Sequence, residues 1–245
     1  MARDAGQLQT IARVVMKPLF GFAWRIHVEG IENIPDGGAI LCPNHISVLD
    51  SFFIPSVLPR RITFVGKAEY LDDWKTRWLF PALGMIPIDR SGGDAATAAL
   101  DIAAAVLARG ELFGIYPEGT RSRDGLLHKG KTGPARLAMR TGAPIVPVGV
   151  RGTLEIMPPD ATVPRLWRSA TIAFGRPIDP ARYTNRGDER SVLRSMIDEV
   201  MYEIRALSGQ EYLHTYATKS AVADAELPEP RSSVDVLRPR ALEVA

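Results

Sequence analysis

The chain has 245 residues, of which 46% are hydrophobic and 24% charged, and its formal net charge at pH 7 is +2. This composition is that of an ordinary globular protein, and so small a net charge does not indicate a nucleic-acid partner. Cys42 is the only cysteine, which excludes an intrachain disulfide and a zinc site built from cysteines.

Residues 1–24 are predicted to form an amphipathic segment that associates with a membrane. Apolar residues recur at near-helical spacing between residues 8 and 24, and Arg13, Lys17 and Arg25 lie among them. This pattern is typical of a helix in the headgroup region of a bilayer, with its basic side chains near phosphates. It also fits a helix packed on the protein's own core, and the pattern does not decide between the two.

Beyond residue 24, short apolar runs alternate with helical patterns. Strands are predicted at 25–28, 39–42, 62–65, 85–88, 112–116, 145–150 and 171–174, and helices at 47–58, 69–80, 95–108, 132–140 and 188–207. Strands separated by helices predict a single α/β domain, residues 25–218, with a mixed sheet of about seven strands flanked by helices. Residues 219–245 are rich in Pro, Glu, Arg and Ser, which predicts a disordered tail.

The first candidate site is the segment Asn44–Asp50, which directly follows the predicted strand ending at Cys42. His45 and Asp50 would point about 140° apart on one regular helix and could not meet there. They can meet if His45 lies in the turn before the helix, Ser47 caps the helix and Asp50 lies in its first turn. The carboxylate would then fix the imidazole tautomer, and the histidine could act as a base on a substrate hydroxyl.

Two further segments carry charged side chains at the ends of predicted strands. Gly84–Arg90 ends in Arg90, and Tyr116–Ser122 holds Arg121 beside Glu118 in a tight turn. Ligands of open α/β sheets bind at the carboxyl ends of the strands, where an arginine can grip an anion. The alternative is an ordinary surface ion pair for Gly84–Arg90, and a structural ion pair between Arg121 and Glu118 for Tyr116–Ser122. The stretch 119–140 adds to the positive charge, with Asp124 as its only acid against Arg121, Arg123, Lys129, Lys131, Arg136 and Arg140.

In this order, the segments resemble the glycerolipid acyltransferase family, which includes the 1-acylglycerol-3-phosphate acyltransferases. His45 and Asp50 match the family's His-x4-Asp motif, and three later blocks match Gly84–Arg90, Tyr116–Ser122 and Ala143–Val148. The resemblance implies a glycerol-3-phosphate acyltransferase-like fold. It also implies roles for eight residues: His45 as base, Asp50 as its orienting acid, and Lys67, Arg90, Glu118, Gly119, Thr120 and Arg121 as substrate-binding residues, several of them at the acceptor phosphate.

The implied reaction moves a fatty acyl group from acyl-CoA or acyl-carrier protein to a hydroxyl of 1-acylglycerol-3-phosphate, giving phosphatidic acid for phospholipid biosynthesis. It needs no metal or organic cofactor, and we expect no nucleic-acid partner. The sequence has neither the roughly 18 to 20 consecutive apolar residues of a spanning helix nor a signal peptide. We therefore expect a peripheral or monotopic protein at the cytoplasmic face of the cell membrane.

Five alternatives stay open at this point. The acceptor could be glycerol-3-phosphate or another lysophospholipid, or the protein could bind lipid without turnover. Residues 125–132 satisfy the nucleotide-binding P-loop pattern, but they follow a polar turn rather than a strand, which argues against nucleotide binding. Cys42 could accept an acyl group, although a lone cysteine at this place is more typical of a buried strand end.

Overall fold

The computed structural model describes residues 18–67, 84–88, 95–184 and 188–217. Its strands are β1 Arg25–Glu29, β2 Ala39–Pro43, β3 Ile62–Lys67, β4 Met85–Ile88, β5 Leu112–Gly114, β6 Leu127–His128, β7 Ile145–Arg151, β8 Ser169–Phe174 and β9 Tyr212–Leu213. Its helices are α1 Asp50–Val57, α2 Ala95–Ala108, α3 Gly133–Thr141, α4 Thr153–Ile156 and α5 Glu189–Ser208. Residues 18–23 are also helical, and short 3-10 helices lie at Ile31–Asn33 and Pro180–Tyr183.

Seven strands pair into one sheet in the order β1-β8-β7-β2-β5-β3-β4. Every neighbouring pair is parallel except β7 and β8, which run antiparallel. The predicted mixed α/β fold is therefore confirmed, and each of the seven predicted strands is present within a few residues of its expected bounds. Parallel pairing requires crossovers between strands, which the intervening helices provide on the two faces of the sheet.

Alternating side chains of the central strands build a hydrophobic core on each face of the sheet. In β2, Ile40 and Cys42 join one buried cluster with residues of α2, α3 and α5. Ala39 and Leu41 point to the other face and join a cluster that includes Phe53 of α1. The period of two along an extended strand produces this division, so β2 is apolar at every position yet serves two separate cores.

The longest helix, α5, matches its predicted pattern closely. Val192, Met196, Val200 and Ile204 form one buried stripe, and the helix stops where Gly209 takes the left-handed conformation with φ 69°. The N–H of Gly209 bonds the carbonyl of Arg205 at 2.9 Å, as a glycine C-cap does. This stripe covers one face of β7, which is why β7 is buried almost throughout.

Two local features differ from the sequence-based expectation. The helix predicted from residue 47 begins at Asp50, and Ser47 does not cap it. The Ser47 hydroxyl donates to the carbonyl of Met157 at 3.0 Å and accepts the N–H of Leu49 at 3.4 Å, ahead of the helix. Strands β6 and β9 form a small separate parallel pair. Each has only two residues, which is too short for a periodic pattern to predict a strand. The predicted helix 69–80 and tail 219–245 lie outside the described residues.

Helical residues 18–23 use one face for the core and expose the other. Phe20, Ala23 and Trp24 are buried, and Phe20 and Trp24 each lie edge-on or tilted against Phe53 at 5.2 and 5.4 Å between ring centroids. Leu19 and Phe22 are 58% and 72% exposed. Residues 1–17 lie outside the described part, and none of the helices described is both long and apolar enough to cross a bilayer.

Candidate active site

The candidate site lies at the carboxyl edge of the parallel strands. Strands β2, β5, β3 and β4 run in one direction, and β7 runs parallel to β2. Their carboxyl ends therefore meet at one edge, where the loops after β2, β5 and β7 come together. This is the edge where open α/β sheets bind their ligands.

His45 and Asp50 are brought together in this loop cluster. Nδ1 of His45 lies 2.9 Å from Oδ2 of Asp50, and the Asp50 side chain is completely buried while that of His45 keeps 14% of its surface exposed. Asp50 is the first residue of α1, and its side chain reaches back over the turn to the imidazole. A carboxylate only accepts hydrogen bonds, so the proton lies on Nδ1 and Nε2 is left as an acceptor.

Three more donors hold the Asp50 carboxylate in place. Its Oδ2 also accepts the backbone N–H groups of Ile46 and Ser47, at 2.8 and 2.9 Å. Its Oδ1 accepts the hydroxyl of Thr153, which follows β7, at 2.6 Å. With four donors on two oxygens, the buried carboxylate is fully satisfied and has little freedom to rotate. The orientation of the His45 ring is fixed as a consequence.

The ring of Tyr116 forms one wall beside His45. The two ring centroids are 3.8 Å apart with 15° between the planes, and the Tyr116 hydroxyl lies 3.0 Å from that of Ser51. Burial raises the pKa of Tyr116, and the negative charge of Asp50 raises it further, so the phenol stays neutral. The stack covers one face of the His45 ring, whereas Asp50 bonds the ring at Nδ1.

Glu118 occupies a different place from the acceptor contact that the resemblance implies. Its side chain is completely buried, its Oε1 accepts the N–H of His45 at 3.3 Å, and its Oε2 accepts the N–H of His128 at 2.9 Å. The N–H of Ser122 also donates to the carbonyl of His45 at 2.7 Å. The segment 116–122 thus holds the backbone of His45 from both sides, and the Glu118 carboxyl points into the protein. Burial raises the pKa of Glu118 to about 8.

Asn44 is a buried residue of the site that the sequence reasoning did not select. Its side-chain amide accepts the N–H of Val150 at 2.6 Å and donates to the carbonyl of Val150 at 2.9 Å and to Gln210 at 2.7 Å. These bonds tie the end of β2 to β7 directly before His45. An asparagine after a strand gives no signal for this role in the sequence, because its partners are more than 100 residues away.

Arg121 lines a small cavity next to the histidine loop. The other walls are Ile46, Ser47, Val48, Arg123, Met157, Pro158 and Pro159. Arg123 forms an ion pair with Asp160, whereas Arg121 has no carboxylate partner among the described residues. The ion pair with Glu118 that was the alternative explanation of Arg121 is therefore not formed. A half-buried guanidinium without a counter-ion is suited to binding an anionic ligand.

Lys131 is a second cation at this loop, and it was not singled out from the sequence. Gly119 has φ +78°, and a Cβ on it would lie 2.9 Å from Nζ of Lys131, so the lysine side chain crosses the open face of the glycine. The N–H of Lys131 bonds the carbonyl of Pro117 at 2.8 Å, which fixes its backbone against the same turn. Lys131 lies against Gly119, and Arg121 follows Thr120. The turn at Thr120 therefore has a cation on either side.

Comparisons with known proteins identify the family of this chain. The sequence matches the model of the acyltransferase family over residues 25–151. The chain belongs to that family. It is 33% identical over 137 residues to a chloroplastic 1-acyl-sn-glycerol-3-phosphate acyltransferase of Arabidopsis thaliana, a match that covers 55% of this chain and 38% of the plant protein. The human 1-acyl-sn-glycerol-3-phosphate acyltransferase alpha is 32% identical over 135 residues, which are 54% of this chain and 47% of that one.

A solved structure extends the likeness beyond the family segment. The crystal structure of the 1-acyl-sn-glycerophosphate acyltransferase from Thermotoga maritima superposes with a TM-score of 0.63 at 25% identity. The match covers 83% of this acyltransferase-family chain and 79% of the Thermotoga maritima protein. The chain spans less than half the length of the plant and human relatives. The predicted family is thus confirmed, and the fold is shared with a relative that has been solved.

Two of the expected substrate-binding residues are not defined by the structure. Lys67 is the last residue of β3, in register with Ile88 of β4, so its backbone lies at the carboxyl edge of the sheet. Arg90 follows β4 and lies outside the described residues. Cys42 is completely buried in β2, and burial raises the pKa of its thiol, which fits the structural interpretation of this cysteine. The P-loop pattern at 125–132 contains strand β6, so it does not form a phosphate loop between a strand and a helix.

Proposed function

We propose that the protein is an O-acyltransferase that moves a fatty acyl group from acyl-CoA or acyl-carrier protein to the free hydroxyl of 1-acylglycerol-3-phosphate. The product is phosphatidic acid. The observation that carries the proposal is the His45–Asp50 pair, with Nδ1 bonded to a buried carboxylate and Nε2 left as an acceptor. The names of the plant, human and Thermotoga maritima relatives support this choice of acceptor.

In the proposed mechanism, Nε2 of His45 takes the proton from the acceptor hydroxyl as its oxygen attacks the thioester carbonyl carbon. A C–O bond forms, and the tetrahedral intermediate collapses with cleavage of the C–S bond. The imidazolium then returns its proton to the departing thiolate, so that ester and free thiol leave. Asp50 stabilises the imidazolium between the two transfers and keeps the ring in position, as the acid of a triad does.

The acceptor phosphate is assigned to the cationic side of the same loop. Arg121 has no carboxylate partner among the described residues and lines the cavity beside Ile46 and Ser47. Its planar guanidinium can bind two phosphate oxygens at once, and Lys131 adds a point charge across Gly119. Holding the phosphate there would place the hydroxyl for attack and make the reaction effectively unimolecular. Lys67 and Arg90 remain proposed contacts from the ends of β3 and β4.

The proposal is tested by assaying purified protein with acyl-CoA and acyl-carrier protein against a panel of acceptors. The panel contains 1-acylglycerol-3-phosphate, glycerol-3-phosphate and other lysophospholipids. We expect turnover with 1-acylglycerol-3-phosphate, and we expect His45→Ala to lower kcat by about 10²- to 10⁴-fold at an unchanged Tm. His27→Ala, an exposed histidine of β1, is the matched control. Normal turnover by His45→Ala would exclude the mechanism.

Two alternatives are resolved by the same assay. Preferred turnover of glycerol-3-phosphate or another lysophospholipid would change the acceptor and leave the chemistry in place. A protein that binds these lipids without turnover would be a peripheral lipid-binding protein. Its buried Asp50, with four hydrogen-bond donors directed at it, would then serve structure alone. We further propose that the protein works as a peripheral or monotopic protein at the cytoplasmic face of a membrane.

A further inference from the structure

An aromatic patch lies on the surface where helical residues 18–23 meet the loop before β8. We define the aromatic patch as five apolar side chains that are all more than half exposed: Leu19, Phe22, Val163, Leu166 and Trp167. The rings of Phe22 and Trp167 touch edge-to-face, with 5.3 Å between centroids and 73° between planes. Leu19 and Phe22 lie three residues apart on the same exposed helix face. Grouped exposure of large apolar side chains marks a binding surface, whereas single exposed residues do not.

The backbone beneath the aromatic patch is held firmly. The N–H of Trp167 donates to the carbonyl of Ala23 at 2.9 Å, and the N–H of Arg25 donates to the carbonyl of Arg168 at 3.0 Å. The indole N–H of buried Trp24 donates to the carbonyl of Arg165 at 2.8 Å. These bonds fasten the loop to residues 23–25, so the exposed side chains are presented by a fixed surface.

Trp167 has the only positive φ among the non-glycine residues of the described chain, at 62°. A bulky side chain rarely takes this conformation, and such strain persists where the surrounding structure enforces it, commonly at functional surfaces. The loop thus presents Trp167, 62% exposed, from a left-handed backbone conformation that the bonds beneath it hold in place.

Positive charge surrounds the apolar side chains. Arg25, Arg165 and Arg168 are exposed, and none of them forms an ion pair with any residue of the described ranges. Apolar and aromatic side chains flanked by free arginines match the boundary between lipid tails and anionic headgroups. The charge selects an anionic surface over a neutral one.

We propose that the aromatic patch, together with Arg25, Arg165 and Arg168, is the surface by which the folded protein docks on an anionic lipid bilayer. Trp167, Phe22 and Leu166 enter the headgroup region, and the arginines bind lipid phosphates. This docking surface belongs to the folded domain and is distinct from the segment 1–17.

The same loop connects the aromatic patch with the candidate active site. Met157, Pro158 and Pro159 line the cavity of Arg121, and the N–H of Arg165 bonds the carbonyl of Ile156 at 2.7 Å, which closes the loop on itself. Arg165 lies six positions after Pro159, a reach of at most about 20 Å. A lipid acceptor that leaves the bilayer at the aromatic patch would thus have a short path to Arg121. This link rests on the proposed function, whereas docking itself does not.

Site-directed labelling tests the orientation of the docked protein. A Leu166→Cys variant carries one environment-sensitive fluorophore, because the thiol of Cys42 is buried and its raised pKa keeps it unreactive. A Tyr202→Cys variant is the control, since Tyr202 is 67% exposed on α5. On vesicles of equal parts phosphatidylcholine and phosphatidylglycerol, the label at 166 should brighten and that at 202 should not. A label at 166 that stays in water while the protein floats with the vesicles overturns the proposal.

Vesicle flotation of the full chain measures the affinity. The double variant Phe22→Ser, Trp167→Asn should lower partitioning into the anionic vesicles by about tenfold or more, while Tyr202→Ser leaves it unchanged. Asparagine is chosen at 167 because it tolerates the left-handed conformation. Arg165→Gln and Arg168→Gln should each lower partitioning into the anionic vesicles about fivefold. The unsubstituted protein should bind only weakly to vesicles of phosphatidylcholine alone.

The remaining outcomes are equally decisive. Equal flotation of the double variant and the unsubstituted chain refutes the docking surface. Brightening at 166 without vesicles, in proportion to protein concentration, would show that a second copy covers the patch and would refute it as well. If the protein docks as expected but fails to transfer acyl groups to any acceptor, the proposed function is wrong and the docking surface stands.

Discussion

Glu118 has both carboxyl oxygens against backbone N–H groups in the interior, and burial raises its pKa from 4.5 to about 8. Between these two pH values the folded protein holds a proton that the unfolded chain releases. Its contribution to stability is therefore full below about pH 4.5 and is lost as the pH rises through about 8. We therefore expect the buried Glu118 to lower the free energy of unfolding in alkaline solution.

We predict that Glu118→Gln removes this pH dependence, because glutamine keeps the shape but does not titrate. The difference in free energy of unfolding between the unsubstituted chain and the variant should fall with rising pH, in total by on the order of 4 kcal/mol. Urea denaturation of both proteins from pH 4.5 to 8 measures it. Two curves that stay parallel over this range would show that Glu118 keeps an ordinary pKa.

At the same scale, Arg121→Lys separates phosphate recognition from a structural role. Lysine keeps the charge but loses the planar fork, and a charge-assisted hydrogen bond is worth about 1.5 to 3 kcal/mol. The KM for the acceptor should rise by about 10- to 150-fold, with the KM for the donor and the Tm unchanged. Arg136→Lys, an exposed basic residue of α3, should alter neither constant. Matched increases for both substrates with a lower Tm would argue for a structural arginine.

Among the elements, the close approach of β7 to the end of α5 depends on a glycine. A Cβ on Gly149 would lie 2.4 Å from Cβ and 2.6 Å from the carbonyl carbon of Leu207, so helix and strand could not keep their distance. We predict that Gly149→Ala lowers the free energy of unfolding by about 1 to 3 kcal/mol. Gly37→Ala, where no atom lies within 4 Å of the added carbon, is the control in the same denaturation experiment. Equal stability of the two variants would mean that α5 shifts freely on the sheet.

The elements themselves were largely predictable, whereas their connections were not. Strands β2, β4 and β7 and the helices α2 and α5 carry unbroken or periodic apolar patterns, and such patterns follow from burial on a sheet or a helix face. The start of α1 was placed three residues early because Ser47 fits a capping pattern, whereas in the fold its hydroxyl accepts the N–H of Leu49 ahead of the helix and donates to the carbonyl of Met157. That partner lies 110 residues away, where local sequence rules cannot reach.

Within the site, the residues that the sequence indicated lie in local patterns, and the residues that it did not indicate depend on contacts between distant segments. His45, Asp50 and Arg121 could be selected from the sequence because each lies in a short segment with a recognisable residue pattern. Asn44 and Lys131 do not, since their importance rests on contacts with β7 and with Gly119 that only the fold creates. Glu118 was found by its segment but given the wrong surroundings, because nothing local indicates that its carboxyl turns inward.

For the molecule as a whole, two truncations separate membrane binding from folding. Deleting residues 1–17 removes Arg13 and Lys17 but leaves the described core and the aromatic patch, so we expect an unchanged Tm and weaker, not abolished, flotation with anionic vesicles. Deleting residues 1–24 also removes the buried Phe20 and Trp24. Emptying such aromatic sites costs about 3 to 5 kcal/mol each, so the shorter protein should melt much earlier or fail to fold. An equal Tm for both truncations would contradict the packing of residues 18–24.

The pairing of β1 with β8 has a consequence for the time at which the protein becomes complete. Arg25 lies beside Ser169, so β1, the first strand of the described residues, cannot pair with β8 until the ribosome has added about 140 further residues, which takes about 7 to 30 s at ordinary rates. The bonds that fasten Trp167 and Arg168 to residues 23–25 close at the same late step. A nascent chain that has not yet reached β8 would therefore lack the aromatic patch and could not settle on a membrane through it.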